Sequence, residues 1–280
     1  MIHDEVTVLR AERLSPSFVR VELGGPCLAD FGVDGPRYDQ RIKLVLPGGP
    51  MRTYTVRDVR GGGPDTRLVV DFVVHGDDHG AVGPACAWAR RAAVGDRLVV
   101  MAPRRGEAFG GIEFEPGTAR RLLLVGDESA LPAIAAILEQ LPWDAAGVVF
   151  VEVPQAADVQ KVPHPEGIDV VWLPRDGEPH GALLRGAVLG HLGAVPDPAG
   201  EEEVAVDPDL WETPTYSSSG EDVGSHAAPV RPGLDDLYAW IAGESAVVTG
   251  LRRVLVKELA MDRRQVAFMG YWRRGVPMRG

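Results

Sequence analysis

The chain has 280 residues, 45% of them hydrophobic, and a formal net charge of -11. This length suits one large domain or two modest ones, and the hydrophobic share is ordinary for a globular protein. The acidic balance argues against a nucleic-acid-binding protein, whose surface would be basic.

The amino terminus and the cysteines bear on the cellular location. The first residues, MIHDE, have neither the basic nor the apolar region of a signal peptide, and no apolar run is long enough to span a bilayer. Cys27 and Cys86 lie far apart, without the spacing of a zinc site, and nothing supports a disulfide between them. We therefore expect a cytoplasmic protein with no stable membrane insertion.

The first part of the chain is rich in short strands. Alternating or apolar segments, most of them next to Gly, Pro or Asp, occur at 6–13, 18–23, 42–46, 54–60, 68–74 and 98–101. Short strands at this spacing predict a small antiparallel β-barrel. The first predicted helix lies at 88–93.

The pattern changes after Pro116. Continuous apolar runs at 122–126, 148–153 and 169–173 alternate with helical patterns at 129–140 and 181–189, which is typical of βαβ units around a buried parallel sheet. A strand at 238–242, a helix at 243–259 and a strand at 265–269 follow. We therefore predict an antiparallel β-barrel domain over 1–117 and a parallel-sheet α/β nucleotide-binding domain over 118–280.

One stretch interrupts the second domain. Residues at about 193–233 are rich in Pro, Ser and Glu, and we interpret them as an irregular, solvated excursion whose one apolar anchor is Leu210-Trp211. An aromatic and basic tail at 270–275 follows the last predicted strand.

Arg52, Tyr54 and Thr55 form the most informative group in the first domain. In a strand, Arg52 and Tyr54 project from one face and Thr55 from the other. An arginine fork fits phosphate oxygens, a tyrosine ring can stack, and a threonine hydroxyl donates and accepts. A dinucleotide with a flat ring and a pyrophosphate needs this set, although a half-buried edge strand would also explain it.

Several motifs, taken together, resemble one known family. They are RTYT at 52–55, DFVVHG at 71–76, GPA at 83–85 with WA at 88–89, GDESALPAI at 126–134, AGE at 242–244 and GYWR at 270–273. In this order, over nearly the whole chain, they resemble the siderophore-interacting proteins, which are FAD-containing ferric-siderophore reductases of the ferredoxin-reductase type.

This resemblance implies an FAD site in the barrel. Arg52 would pair with the pyrophosphate, Tyr54 would stack on the isoalloxazine ring, and Thr55 would bond to its polar edge. Small residues at a helix start would let backbone N–H groups approach the phosphates. Trp272 would be a lid over the flavin or adenine, unless it only docks the last strand. The implied contacts are Arg52, Thr53, Tyr54, Thr55, Asp71, Val73, His75, Gly83, Pro84, Ala85, Cys86 and Trp272.

The resemblance also implies a nicotinamide site at the carboxyl ends of the parallel strands, where ligands of open α/β sheets gather. The turn after the first parallel strand lacks GxGxxG, so no standard dinucleotide fingerprint is claimed. Simple capping of helices would equally explain the carboxylates in these turns. The implied contacts are Gly126, Asp127, Glu128, Ser129, Arg175, Gly243 and Glu244.

Two residues of opposite charge bear on the choice of nicotinamide. Glu152, at the end of the second parallel strand, would repel the 2′-phosphate of NADPH, whereas Arg175, after the third, would attract it. A paired Glu152 and Arg175 would leave neither free. Because Glu152 can point away while Arg175 lies on a turn, we predict NADPH over NADH.

The implied activity passes electrons from NAD(P)H through FAD to siderophore-bound Fe³⁺, which is released as Fe²⁺ for iron acquisition. This transfer requires no catalytic acid or nucleophile, and the sequence shows no metal-ligand set. Arg37, Arg41 and Lys43 are candidates for attracting an anionic ferric siderophore. We expect a monomer that binds no nucleic acid. A general flavin reductase and a non-catalytic ferric-siderophore or flavin binder are the alternatives.

Overall fold

The computed structural model describes residues 1–74, 83–194, 210–218 and 234–275. Within this part of the chain there are two compact units, one of Met1–Ile112 with Pro132–Gln140, the other of Glu113–Leu131 with Leu141–Val276. The division differs from the predicted boundary at 117/118 because it places 132–140 in the first unit, where Glu139 accepts hydrogen bonds from Arg57. The exact domain boundary stays a prediction.

The first unit is built on seven antiparallel strands in the order β4-β3-β7-β1-β2-β6-β5. The Arg57 N–H, just past β4, donates to the Val69 carbonyl in β6 at 2.9 Å, so the sheet curls towards closure. The predicted antiparallel barrel is confirmed. The strands are β1 (Ile2–Ser15), β2 (Phe18–Gly24), β3 (Arg41–Val45), β4 (Met51–Thr55), β5 (Asp58–Arg60), β6 (Arg67–Val73) and β7 (Arg97–Ala102).

Two local predictions in this unit were wrong. The single strand expected at 54–60 is two strands, because the N–H groups of Val56 and Arg57 bond to Gln40 and Val69, outside the β3–β4 ladder. The helix expected at 88–93 is α1 (Pro84–Ala89). It begins in the Gly83-Pro84-Ala85 turn that was expected to open it, because proline suits the first helical position, but it ends at Ala89.

The second unit contains a seven-stranded sheet in the order β10-β9-β8-β13-β14-β11-β12. The first five strands in this order, β10, β9, β8, β13 and β14, are parallel, as predicted. The hairpin of β11 and β12 is antiparallel, so the sheet is mixed. The strands are β8 (Arg121–Gly126), β9 (Ala146–Val153), β10 (Gly167–Pro174), β11 (Trp211–Thr213), β12 (Tyr216–Ser217), β13 (Leu237–Glu244) and β14 (Val266–Trp272).

Three helices alternate with these strands along the chain. They are α2 (Leu131–Leu138), α3 (Ala182–His191) and α4 (Ser245–Arg252), which continues as a π-helical segment over Arg253–Glu258. No helix within the described ranges has the length and apolar character needed to cross a bilayer.

The β11–β12 hairpin lies inside the stretch predicted to be irregular. Leu210 is buried, and the Trp211 ring stacks on Tyr271 with centroids 5.9 Å apart, so the predicted apolar anchor is confirmed. Glu212 of this hairpin is buried and ion-paired with Arg252 and Arg263. The hairpin was missed because its strands have only three and two residues. The rest of the excursion lies outside the described residues.

Candidate functional site

The strand β4 presents its side chains to two different faces. In the ladder with β3, Arg52 pairs with Leu44 and Tyr54 with Ile42, and both partners are buried in the barrel core. Thr53 and Thr55 pair with Lys43 and Arg41 on the other face. The predicted alternation of Arg52 and Tyr54 against Thr55 is therefore present.

Tyr54 lies in an aromatic row at the barrel core. Its ring centroid is 4.3 Å from that of Phe72, which in turn is 5.2 Å from that of Trp88. Burial raises the pKa of the Tyr54 phenol, so the group stays neutral at physiological pH. The row gives Tyr54 a fixed ring plane, which is the property that stacking on a flat ligand requires.

Arg52 is a half-buried cation. Its Nη1 donates to the Met51 carbonyl at 2.7 Å. Among the described residues, no carboxylate lies within ion-pair distance of its guanidinium. A half-buried arginine without an acidic partner fits an anionic ligand, so the residue has the chemistry that the pyrophosphate of FAD demands.

The second implied FAD stretch is only partly described. Asp71 in β6 accepts two hydrogen bonds of 2.7 Å from Arg20, so its carboxylate is already occupied and any flavin contact would use the backbone. Gly83 precedes α1, and Cys86 is buried within the helix as a free thiol. His75 lies outside the described residues.

The three basic candidates for substrate attraction lie in the first unit. Arg41 and Lys43 share one face of β3, and the Arg37 Nη2 is 3.9 Å from Asp58 Oδ1. Burial and the neighbouring Arg41 charge lower the pKa of Lys43. Two cations on one face repel each other, which favours an anion between them.

In the second unit, the carboxyl ends of the parallel strands bring five charged side chains together. We call these residues, Asp127, Glu128, Glu152, Arg175 and His180, the strand-end cluster. The Arg175 guanidinium donates to both oxygens of Glu128 at 2.8 and 2.9 Å and to Glu152 Oε1 at 3.1 Å. Arg175 is therefore held between two buried carboxylates.

Glu152 has a structural role as well. Its side chain is 0% exposed and accepts hydrogen bonds from the N–H groups of Gly181 and Leu184, at the start of α3. The expectation that Arg175 is free while Glu152 points away is wrong, because the pair that would leave neither free has formed. The NAD(P)H contact of Arg175 stays a prediction that this pairing opposes.

His180 is a member of the cluster that the sequence reading missed. Its side chain is 7% exposed, and Nε2 lies 3.4 Å from Asp127 Oδ2 and 3.7 Å from Glu128 Oε2. Burial alone would lower the pKa of His180, but the two carboxylates outweigh it and raise the pKa to about 9. His180 is thus a cation at neutral pH. The only sequence signal was a histidine between Pro179 and Gly181, just before a helix.

The same network keeps Glu128 ionised. Burial would raise its pKa, but His180 and Arg175 outweigh this effect and lower the pKa to about 2. Asp127, Glu128 and His180 also have the mutual spacing of a metal-binding group. However, the oxygens of Asp127 already accept four hydrogen bonds, and Glu128 is bound by Arg175. We therefore interpret the group as an ion-pair network.

The carboxylates in the two strand-end turns cap backbone. Asp127 Oδ1 accepts the Ser129 N–H at 2.8 Å, and Glu244 accepts the N–H groups of Ala246 and Val247 at the start of α4. These contacts are those expected from capping alone. Nicotinamide contacts of Gly126, Ser129, Gly243 and Glu244 stay predictions.

Comparison with protein families accounts for both units. The family model described as siderophore-interacting protein matches residues 119–275, and the one described as siderophore-interacting FAD-binding domain matches residues 7–50 and 47–107. The chain belongs to the siderophore-interacting protein family. As such a protein it has the ferredoxin-reductase-like fold, which more distant ferredoxin reductases share.

Individual members of the family extend this comparison. The chain is 30% identical to the ferric vibriobactin reductase ViuB of Vibrio cholerae, over 95% of this chain and 88% of ViuB. It is 28% identical to the NADPH-dependent ferric-chelate reductase of Escherichia coli, over 96% and 92%. A solved siderophore utilization protein from T. fusca is 30% identical, with a TM-score of 0.69, over 98% of this chain and 94% of that one.

Proposed function

We propose that this siderophore-interacting protein is an FAD-dependent ferric-siderophore reductase that takes electrons from NADPH. Two relatives are named as reductases of ferric vibriobactin and of ferric chelates, and the latter is named as NADPH-dependent. The FAD-binding family model covers the barrel strands. We further propose a cytoplasmic monomer.

Arg52 is the observation that carries the FAD assignment. It is half-buried, it lies on the same face as Tyr54, and no described carboxylate neutralises it. We assign the pyrophosphate to Arg52 and the isoalloxazine ring to Tyr54, which share one face of β4, while Thr53 and Thr55 lie on the other face. When bound, FAD supplies the conversion of a hydride into two single electrons.

The protein's own groups bind and orient the reactants. Tyr54 holds a neutral ring in a fixed plane, and Arg52 supplies a phosphate-binding cation. The resemblance implies that backbone N–H groups around Gly83, at the start of α1, also approach the phosphates. No side chain is required to transfer a proton to the iron complex. Reduction loosens the iron, because the hard oxygen ligands of siderophores suit Fe³⁺ better than Fe²⁺.

Arg37, Arg41 and Lys43 are the proposed attractants for the substrate. The chain as a whole is acidic, so an anionic ferric siderophore needs a local positive field to approach it. Arg41 and Lys43 lie side by side on one strand face and supply such a field. The rate of iron reduction should therefore fall as ionic strength rises.

The experiment is anaerobic spectroscopy of the purified full-length protein. Its flavin is identified after release, NADPH is added and the loss of the flavin absorbance is followed, and then a ferric siderophore is added with an Fe²⁺-specific chelator. We expect FAD rather than FMN, bleaching by NADPH, and recovery of the flavin spectrum together with formation of Fe²⁺.

Two results would decide for the alternatives. If the FAD dissociates freely and the reduced flavin reacts with all electron acceptors alike, the protein is a general flavin reductase. A protein that binds FAD or a ferric siderophore but is never bleached by NADPH or NADH would be a non-catalytic binder. Arg52→Lys is a suitable control for the proposed pyrophosphate contact, because it keeps the positive charge and removes the planar fork.

A further inference from the structure

The carboxylate of Asp127 connects three segments of the second unit. It is 1% exposed, and its two oxygens accept four hydrogen bonds. Oδ1 binds the N–H and hydroxyl of Ser129 in its own turn. Oδ2 binds the Glu244 N–H at 2.8 Å and the Trp272 indole Nε1–H at 2.9 Å. One side chain thus ties the ends of β8, β13 and β14.

Trp272 is held at further points. Its carbonyl accepts a hydrogen bond from Ser245 Oγ at 2.9 Å, and the N–H of Arg274 donates to Glu244 Oε1. Its ring meets His180 edge-on, with centroids 5.1 Å apart and planes at 85°. These contacts fix both the backbone and the ring plane of Trp272.

The close approach of β13 to Asp127 depends on Gly243. A Cβ at this position would lie 2.6 Å from Asp127 Oδ2, and the backbone φ of +146° is one that other residues rarely adopt. The glycine therefore leaves room for the carboxylate between β13 and β14. This gives the AGE motif a role that does not involve a ligand.

Asp127 is surrounded by donor groups. Its two oxygens accept four hydrogen bonds, and His180 Nε2 lies 3.4 Å from Oδ2. Glu128 and Arg175 complete the charged groups around His180, and Trp272 covers its other side. A neutral side chain at 127 could not accept all four hydrogen bonds.

We propose that Asp127 is a positioning residue that fixes the Trp272 indole, rather than a contact for the nicotinamide. The proposal rests on the proposed function, because the resemblance implies that Trp272 is a lid over the flavin or adenine. A ring held in advance loses less freedom when the cofactor and substrate assemble, so Asp127 would act on electron transfer through Trp272.

Hydrogen exchange of the indole N–H groups tests the contact directly. In full-length protein labelled with ¹⁵N, Trp272→Phe identifies the Trp272 signal, and the 87% exposed Trp143 serves as an unprotected reference. We expect the wild-type Trp272 N–H to exchange at least about tenfold more slowly than that of Trp143. If the Trp272 and Trp143 N–H groups of the wild-type protein exchange at equal rates, the proposal is overturned before any variant is made.

The variants sharpen this result. In Asp127→Ala the Trp272 N–H should lose most of its protection against exchange. Asp127→Asn keeps one oxygen but no charge, so there the Trp272 N–H should lose a smaller part of its protection. The Trp240 N–H, from a fully buried ring, reports whether the fold persists. Ser129→Ala is the matched control, because it removes a donor to Oδ1 only. Unchanged Trp272 protection in a folded Asp127→Ala protein would refute the contact.

A kinetic cycle then tests how Asp127 acts. If Asp127→Asn and Trp272→Phe each lower kcat/KM for ferric reduction about tenfold, the double variant should lose about tenfold, not a hundredfold. Multiplying effects would show that Asp127 acts independently of Trp272, against the proposal. Altered exchange in a protein with no reductase activity would instead reject the proposed function and leave the indole contact standing.

Discussion

Arg52 and Arg175 were both predicted to bind phosphate, and the structure places them in opposite surroundings. Arg52 in the barrel is half-buried and has no described carboxylate partner. Arg175 in the second unit is held by Glu128 and Glu152, both buried. The difference teaches that the availability of an arginine for a ligand depends on acids that the fold brings to it.

The sharpest way to break this comparison is Arg175→Ala. The change leaves two buried carboxylates without their cation, so the free energy of unfolding should fall by about 3–5 kcal/mol. Denaturant unfolding measures it, and Arg185→Ala on α3 is the control, since surface changes of this kind cost at most about 0.5 kcal/mol. The fraction of Arg175→Ala protein that folds should show equal losses of activity with NADH and with NADPH. A selective loss with NADPH and unchanged stability would restore the phosphate role of Arg175.

The matching change in the barrel is Arg52→Ala. Loss of a charge-assisted contact to phosphate should weaken FAD binding by about 1.5–3 kcal/mol, while unfolding without FAD changes little because no ion pair is broken. Fluorescence titration of FAD into apoprotein measures the affinity. The FAD affinity of Arg52→Lys should lie between those of the wild type and Arg52→Ala. Unchanged affinity would leave β4 as an ordinary edge strand.

The strand-end cluster should also make stability depend on pH through His180. Its pKa is raised from 6.5 to about 9 in the folded protein. Below pH 6.5 both states are protonated and the attraction to Asp127 and Glu128 is fully present; it is lost as pH rises through 9. The stability difference between wild type and His180→Gln should therefore shrink by about 2 kcal/mol from pH 6 to pH 10. A pH-independent difference would mean that His180 is neutral.

The smallest expected effect comes from Glu244. Because its carboxylate accepts the first N–H groups of α4, Glu244→Ala should cost about 1 kcal/mol of stability. Glu244→Gln keeps an acceptor and should cost less. Thermal unfolding of the two variants tests the order. Unchanged stability together with a raised KM for NADPH would assign Glu244 to the nicotinamide instead.

The sequence predicted the architecture well where the hydrophobic pattern is continuous. The apolar runs of β8, β9 and β13 are buried on both faces, and this pattern distinguishes a parallel sheet from the alternating strands of the barrel. The hairpin at Trp211 was not predictable, because two or three residues carry no period. The division of 54–60 into two strands depends on hydrogen bonds to Gln40 and Val69, distant in sequence.

The candidate site was predictable as a set of positions but less so in its contacts. Residue chemistry and strand alternation led to Arg52 and Tyr54, the family motifs supplied their roles, and the β3–β4 register reproduces the alternation. The sequence raised a pair between Arg175 and Glu152 but could not decide it, and it gave no sign of the second partner, Glu128, which lies 47 residues before Arg175. His180 was missed because a lone histidine gains its charge only from carboxylates that folding brings to it.

Single-turnover oxidation by the ferric substrate tests the central claim most directly. FAD-loaded protein is reduced anaerobically by light with a sacrificial electron donor, without any nicotinamide; the remaining donor is removed, and the protein is mixed rapidly with a ferric siderophore and an Fe²⁺-specific chelator. The account predicts that the flavin absorbance returns while two Fe²⁺ complexes form for each FAD, since the flavin releases its two electrons singly. Flavin that stays reduced in the presence of the ferric siderophore, with no Fe²⁺ formed, would contradict it.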